Sequence, residues 1–333
     1  MAARSVYQMD RIIKMEARAE DSYSWLFGLR SYYMFQNDLD KLDVIKSLIS
    51  LKYGNKDDVH HILKRVCLND TENNTTQYQI DNRSARFDYY FELLKDSDNL
   101  DIRKVLDLLN LIEPDPLCFS LLNLILQYGA SQSVVDAFSK GQVTSKVWLT
   151  ETLQKLVNPN TTLDNVLLIG GWYGHLTHYF KNRISYNKIY NVDPHEFNTC
   201  VGHEFFNLNS ENFIPSSTVI ERVEVNSQGY VIPIGRYNKE NDFHFEITDY
   251  TTVMPDLIVN TSCEHISDDW YKRVPYGKMV AIQTNNLFGM ADDHFNCIEK
   301  QTDMDNKYPM NKVLFQGELD INVGKRFMKI GIK

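Results

Sequence analysis

Val166-Leu167-Leu168-Ile169-Gly170-Gly171-Trp172-Tyr173-Gly174-His175-Leu176 decides how this chain is read. Four consecutive apolar residues suit a strand buried on both faces. The run breaks into glycines, and an apolar-faced helical stretch begins at Leu176. Glycine adopts positive φ without penalty and lets the backbone approach a ligand closely. A helix that starts just beyond such a turn offers free N–H groups to a polar or anionic ligand. Gly170, Gly171 and Gly174 are placed to do this; a tight turn in any α/β protein has the same residues.

Downstream, the same texture repeats. Apolar runs lie at Lys188–Val192, ending in Asp193; at Phe243–Ile247, ending near Asp249; at Asp256–Val259, ending in Asn260; and at Met279–Gln283. With Asn165–Ile169 they alternate with helical stretches, which predicts a mostly parallel sheet covered on both faces. Val313–Ile321 and Arg326–Ile332 are joined by a short link and predict an antiparallel hairpin at its edge. Ser217–Tyr237 reads as an extra hairpin inserted before the third core strand, with Asn226-Ser227-Gln228-Gly229 as its turn.

The strand ends carry the polar residues. Asp193 lies about 20 residues beyond the glycines, where an acid in a Rossmann-like fold accepts hydrogen bonds from a ribose diol. The alternative role is to cap the next helix. Asp249, read as a strand-end acid, can reach an adenine amine or stand solvated. Asn260-Thr261-Ser262-Cys263-Glu264-His265 follows the fourth run, and ligands in open α/β sheets sit beyond the carboxyl ends of strands. Glu264 or His265 there can act as a general base and Cys263 as a thiol; a capped helix start explains the same residues. Cys263 with His265, and His294 with Cys297, are each a metal-ligating pair without further ligands at suitable spacing, so no metal is expected.

The first part of the chain reads differently. From Asp10 to Lys52 apolar residues recur at helical spacing, with Leu39, Leu42, Val44, Ile45, Leu48 and Ile49 as one stripe. Asp57-Asp58 opens another helical stretch through Val66, Asn69–Asn82 is polar, and helical patterns return at Ala85–Leu94, Asp101–Ile112, Pro116–Tyr128, Ser131–Phe138 and Thr144–Leu156. The reading is a helical domain over residues 1–140 and an α/β domain over 141–333. Five scattered cysteines without a CxxC fit reduced thiols in a cytoplasm better than a disulfide framework. No run approaches a membrane span, and the first residues lack the apolar core of a secretory signal. A net charge of −9 argues against a protein that coats nucleic acid more than against an enzyme that acts briefly on one.

Taken together, the residues resemble a known group. Leu167–Phe180, with Gly-Gly-Trp-Tyr-Gly at its centre, is similar to the S-adenosylmethionine (SAM)-binding first motif of class I methyltransferase-like proteins of tailed bacteriophages. The similarity continues at Asn191–Pro194, Asn260–His265, Trp270-Tyr271, Val274–Asn285, Tyr308–Met310, Gly317–Leu319 and Arg326–Gly331, and upstream at Ser139–Gln142 and Ser145–Leu149. It covers about residues 135 to 333. The resemblance implies a Rossmann-like methyltransferase sheet with SAM as cofactor. It places Gly170, Gly171, Trp172, Tyr173 and Gly174 along the methionine and ribose, Asp193 on the ribose, Asp249 on the adenine and Asn260 beside the methyl donor. It implies a methyl acceptor, nucleic acid or protein, met in the host cytoplasm; the N-terminal helices lie outside it and are assigned substrate or partner binding from their position alone. An inactive interaction module built on the same fold is the alternative. Three departures stand out. The first strand ends in Leu168 and Ile169 rather than an acid, Trp172 replaces the middle glycine of GxGxG, and no Pro-Pro-aromatic signature follows Asn260, which argues against base N-methylation.

Overall fold

The structure is a computed structural model that describes residues 23–52, 101–112, 115–129, 131–202, 212–238, 244–290, 293–321 and 323–333. The chain divides into two compact units, Ser22–Val147 and Trp148–Lys333.

The first unit is helical throughout its described residues. Helices α1 (Ser24–Gln36), α2 (Leu39–Lys52), α3 (Ile102–Ile112), α4 (Pro116–Tyr128) and α5 (Ser131–Ala137) lead into α6 (Lys140–Leu156), within which the two units meet along the chain. Asn37, at φ 60°, separates α1 from α2 within the helically spaced stretch, whose residues 10–22 lie outside the described ones. Asp115 caps α4 by accepting from the Leu117 N–H, Pro116 takes the position where no N–H is needed, and Gly129 ends the helix in the left-handed region. Leu26, Leu29, Val44, Ile45, Leu48, Val105 and Leu109 are buried, whereas Leu39 of the anticipated stripe is 63% exposed. The helical stretches anticipated at Asp57–Val66 and Ala85–Leu94, and the polar stretch between them, lie outside the described residues.

The second unit is built on a seven-stranded sheet. Its strands are β1 (Leu163–Ile169), β2 (Tyr186–Asp193), β3 (Phe213–Ser217), β7 (Leu257–Asn260), β8 (Met279–Asn285), β9 (Lys312–Ile321) and β10 (Gly324–Ile332), in the order β3-β2-β1-β7-β8-β10-β9. The first five positions are parallel, and β10 runs antiparallel between β8 and β9. This is a Rossmann-like α/β sheet closed by an antiparallel hairpin, as anticipated. Val166–Ile169 are buried, as a strand with neighbours on both sides and cover on both faces must be. The connections between strands use short helices: α7 (Leu176–Phe180), α8 (Glu196–Val201), α9 (Asp269–Lys272) and α10 (Asp303–Lys307).

Two anticipated assignments are corrected. The third core strand is β3, not the run at Phe243–Ile247. The described residues of that run, 244–247, belong to β6 (His244–Val253), which pairs with β5 (Gly229–Asn238), itself paired with β4 (Glu224–Asn226), in a separate three-stranded antiparallel sheet. The inserted hairpin turns at Asn226–Gly229 as read, but it follows the third core strand instead of preceding it. Inside the main sheet β10 buries two cations, and Lys333 just past its end is a third. Arg326 meets Glu264, Lys329 meets Asp305, and Lys333 donates to the carbonyls of Tyr271, Lys272 and Val274 at the end of α9.

Candidate active site

The sheet reverses direction of growth at β1: the chain leaves β1 for β2 on one side and later enters β7 on the other. Ligands in open α/β sheets bind in the crevice beyond the carboxyl ends of the strands at such a point. The residues that follow β1 form a contorted turn there. Gly170, Trp172 and Gly174 have φ of 61°, 51° and 70°. For a tryptophan this region costs on the order of 1–3 kcal/mol, so neighbours must hold it. They do so from β2 and from the turn after β7. Asp193 Oδ2 accepts from the Trp172 N–H at 2.9 Å, Asn191 Nδ2 donates to the Trp172 carbonyl at 3.0 Å, and Ser262 Oγ donates to the Gly170 carbonyl at 2.9 Å. The Trp172 ring stacks on Tyr173 at 4.7 Å. Gly171 is required by space: a Cβ there would stand 1.9 Å from Asn191 Oδ1.

Asp193 is 4% exposed, and its other oxygen accepts from the His195 N–H at 3.0 Å. It therefore closes the turn and ties down the residue that precedes α8. A carboxylate has about four acceptor sites, so two N–H bonds leave acceptor capacity on each oxygen. Asn191 Oδ1 and Asn260 Nδ2 are buried polar atoms with no hydrogen-bond partner among the described residues. Both lie at this edge of the sheet; Asn260 ends β7 and its Oδ1 accepts from the Ser262 N–H at 2.9 Å.

Beyond Asn260 the chain makes a single 3-10 turn, Cys263–His265. Glu264 is 3% exposed; its Oε1 accepts from Asn285 Nδ2 at 2.6 Å and from Arg326 Nη1 at 2.7 Å. The described part of the loop after β8 is tied over this turn: Asn296 N–H donates to the Glu264 carbonyl, and Asn296 Nδ2 to the Ile266 carbonyl at 2.6 Å and Asp268 Oδ1 at 2.8 Å. That strap brings His294 against His265, with ring centroids 4.6 Å apart. His294 is held below the usual imidazole range by burial and by neighbouring His265. Burial first and Glu264 second push the Cys263 thiol well up, and the same two causes raise Cys297 to about 11. Burial thus works against ionisation of both thiols.

Of the residues singled out from sequence, Gly170–Gly174, Asp193, Asn260, Glu264 and His265 share the carboxyl edge of the main sheet. Asp249 does not. It lies within β6 of the small sheet, paired opposite Ile234 and exposed, with its Oδ1 accepting from the Tyr250 N–H. The expectation that it ends a core strand beside the crevice is corrected accordingly. Sequence reasoning gave no separate role to Asn191, Asn285, Asn296 and Arg326, and read Ser262 only within its polar motif. Only Asn191 carried a signal, as a lone polar residue inside an apolar strand.

No family model and no curated protein matches the sequence. Solved structures that superpose on it include the N-methyltransferase NodS from Bradyrhizobium japonicum, at 11% identity and TM-score 0.39, over 57% of this chain and 96% of that one. A second is a SAM-dependent methyltransferase from Clostridium acetobutylicum, at 14% and 0.41, over 62% and 98%. A third is the plantazolicin methyltransferase BpumL, solved with a substrate analogue and S-adenosylhomocysteine, at 12% and 0.39, over 64% and 95%. At identities and scores this low, the fold assignment stands on the strand order itself.

Proposed function

We propose that the Trp148–Lys333 unit is a SAM-dependent methyltransferase. The observation that carries this reading is the turn Gly170–Gly174, bent through three left-handed residues at the point where the sheet reverses and pinned there from β2 and from the turn after β7. Strain of this kind in a bulky residue is kept where a site requires it. The residues fit the cofactor: a cradle that admits no Cβ at Gly171, a carboxylate with acceptor capacity at Asp193, and unpaired buried polar atoms on Asn191 and Asn260. In this reading Gly170, Gly171, Trp172, Tyr173 and Gly174 hold the methionine and ribose, Asp193 the ribose hydroxyls, and Asn260 borders the methyl donor. SAM, when bound, supplies an electrophilic methyl group. The protein's own task is then to bring an acceptor into line with it and exclude water, so positioning does most of the work. Glu264 or His265 takes the acceptor's proton where one must leave.

The resemblance to tailed-phage proteins suggests a host cytoplasm for this activity, and the Ser22–Val147 helices are assigned acceptor recognition from their position in the chain alone. Among the described residues no helix is long and apolar enough to cross a membrane. One observation favours the second reading, an inactive scaffold: both Asp193 oxygens already serve main-chain N–H groups. Calorimetric titration with SAM and S-adenosylhomocysteine separates the two. Saturable binding of either supports the enzyme, to be followed by a methyl-transfer screen over nucleic acid and protein acceptors. Absence of binding to both leaves the scaffold.

A further inference from the structure

Glu264 and His265, the candidate proton acceptors above, also stand with His294 in a ligand set that holds no part of SAM. Glu264, His265 and His294 each place one ligating atom within 4.8 Å of the others. In the sequence the two histidines belong to separate half-sites; the strap at Asn296 joins them. We propose that these three side chains bind one divalent transition-metal ion, in a site independent of SAM.

Four features carry the proposal. Glu264 Oε2 is buried and has no hydrogen-bond partner among the described residues, while Oε1 is fixed by Asn285 and Arg326. A buried, unpaired carboxylate oxygen is costly unless something meets it, and a cation is the natural partner. Secondly, His294 Nδ1 lies 3.0 Å from the Leu287 carbonyl, which holds the proton on that nitrogen and leaves Nε2 as a lone-pair donor. Backbone-carbonyl orientation of an imidazole is the outer-shell arrangement that ligating histidines use. Thirdly, His265 presents Nε2 toward Glu264, 3.9 Å from Oε1, and has Asp293 Oδ2 3.0 Å from its Nδ1. The Asp293 carboxylate adds negative charge on the outer side of the set, so the Arg326 charge does not leave the site electropositive. Finally, two imidazoles and one carboxylate are a donor set for zinc, manganese, iron, cobalt or nickel rather than for calcium or magnesium. Donors at about 2.1 Å from a shared ion stand roughly 3–4 Å apart, so the set contracts by roughly 1 Å on loading. His265 and His294 are part-exposed, which gives the ion a way in. Three protein ligands leave open positions for water or substrate.

The test uses the untagged full chain, stripped with chelator and titrated with Co2+ while its visible bands are followed, then back-titrated with Zn2+. The expected result is one equivalent bound at micromolar affinity or tighter, displaced by Zn2+ and not by millimolar Mg2+. His265→Ala and His294→Ala should each weaken binding at least tenfold, with circular dichroism and melting temperature near wild type; His294→Gln keeps the side-chain bulk if His294→Ala melts early. No saturable Co2+ binding overturns the proposal, as does unchanged binding in the His265→Ala/His294→Ala double variant. A SAM titration on the same samples keeps the two readings apart, because metal binding with no SAM binding sinks the methyltransferase and leaves the metal site standing.

Discussion

At the scale of single residues, Asp193 decides most. A strand-end acid in solvent would be cheap to remove. This one is buried, and Asp193→Ala strands the N–H groups of Trp172 and His195. Each unmet buried donor costs about 1–3 kcal/mol, so urea unfolding of the variant should show a loss of that order or more. If SAM binds as proposed, its affinity falls tenfold or further, at about 1.4 kcal/mol per decade. A variant with wild-type stability would contradict the geometry described. The thiols give a second prediction. Burial opposes the charged thiolate, so Cys118, raised to about 12, Cys297, raised to about 11, and Cys263 stay protonated at pH 8. Peptide mass spectrometry after a brief iodoacetamide pulse on native protein should find all three unlabelled, and labelled once urea is added.

At the scale of elements, β10 is fastened to the turn after β7 through Arg326 and Glu264, both nearly solvent-free. Removing one partner leaves a buried charge alone, so Arg326→Met should cost about 3–5 kcal/mol by denaturant titration. Glu264→Leu in the same chain should recover much of it, since an apolar pair of similar volume is tolerated. A double variant no more stable than Arg326→Met would argue against the pairing. The elements also show what the sequence discloses and what it withholds. Strands β1, β2, β7 and β8 are continuous apolar runs and are legible as such. Strand β3 is not, because Pro215 and two serines suit only a sheet edge, where a missing donor is tolerated. Strand β6 was legible and misread: His244, Glu246 and Thr248 alternate with Phe245 and Ile247, which is the period of a strand with one wet face. The same misreading moved Asp249 into the crevice. The turn and Asp193 were readable because local spacing encodes them. The His265–His294 pairing was not, because it depends on a loop held by Asn296, and no periodicity records where a loop is tied.

For the molecule as a whole, two compact units share one helix, α6. Chains of this kind depart from all-or-none unfolding. Differential scanning calorimetry should resolve two transitions, and SAM at 100 times its Kd should raise only that of the Trp148–Lys333 unit, by about 2.7 kcal/mol at that ligand excess. A single transition that shifts as one would mean the units unfold together. Net charge bears on the same scale: at −9 the chain gains nothing from counterion release over its whole surface, so any nucleic-acid acceptor must be held by local contacts.

The place of β10 has a consequence for how the chain is made. Strand β9 touches the sheet only through β10, yet it is synthesised first. Until β10 has docked against β8, β9 has no place in the sheet. A partly folded chain then carries an unpaired strand and an open β8 edge at once, the two partners that aggregation requires. The docking of one strand therefore shelters two edges.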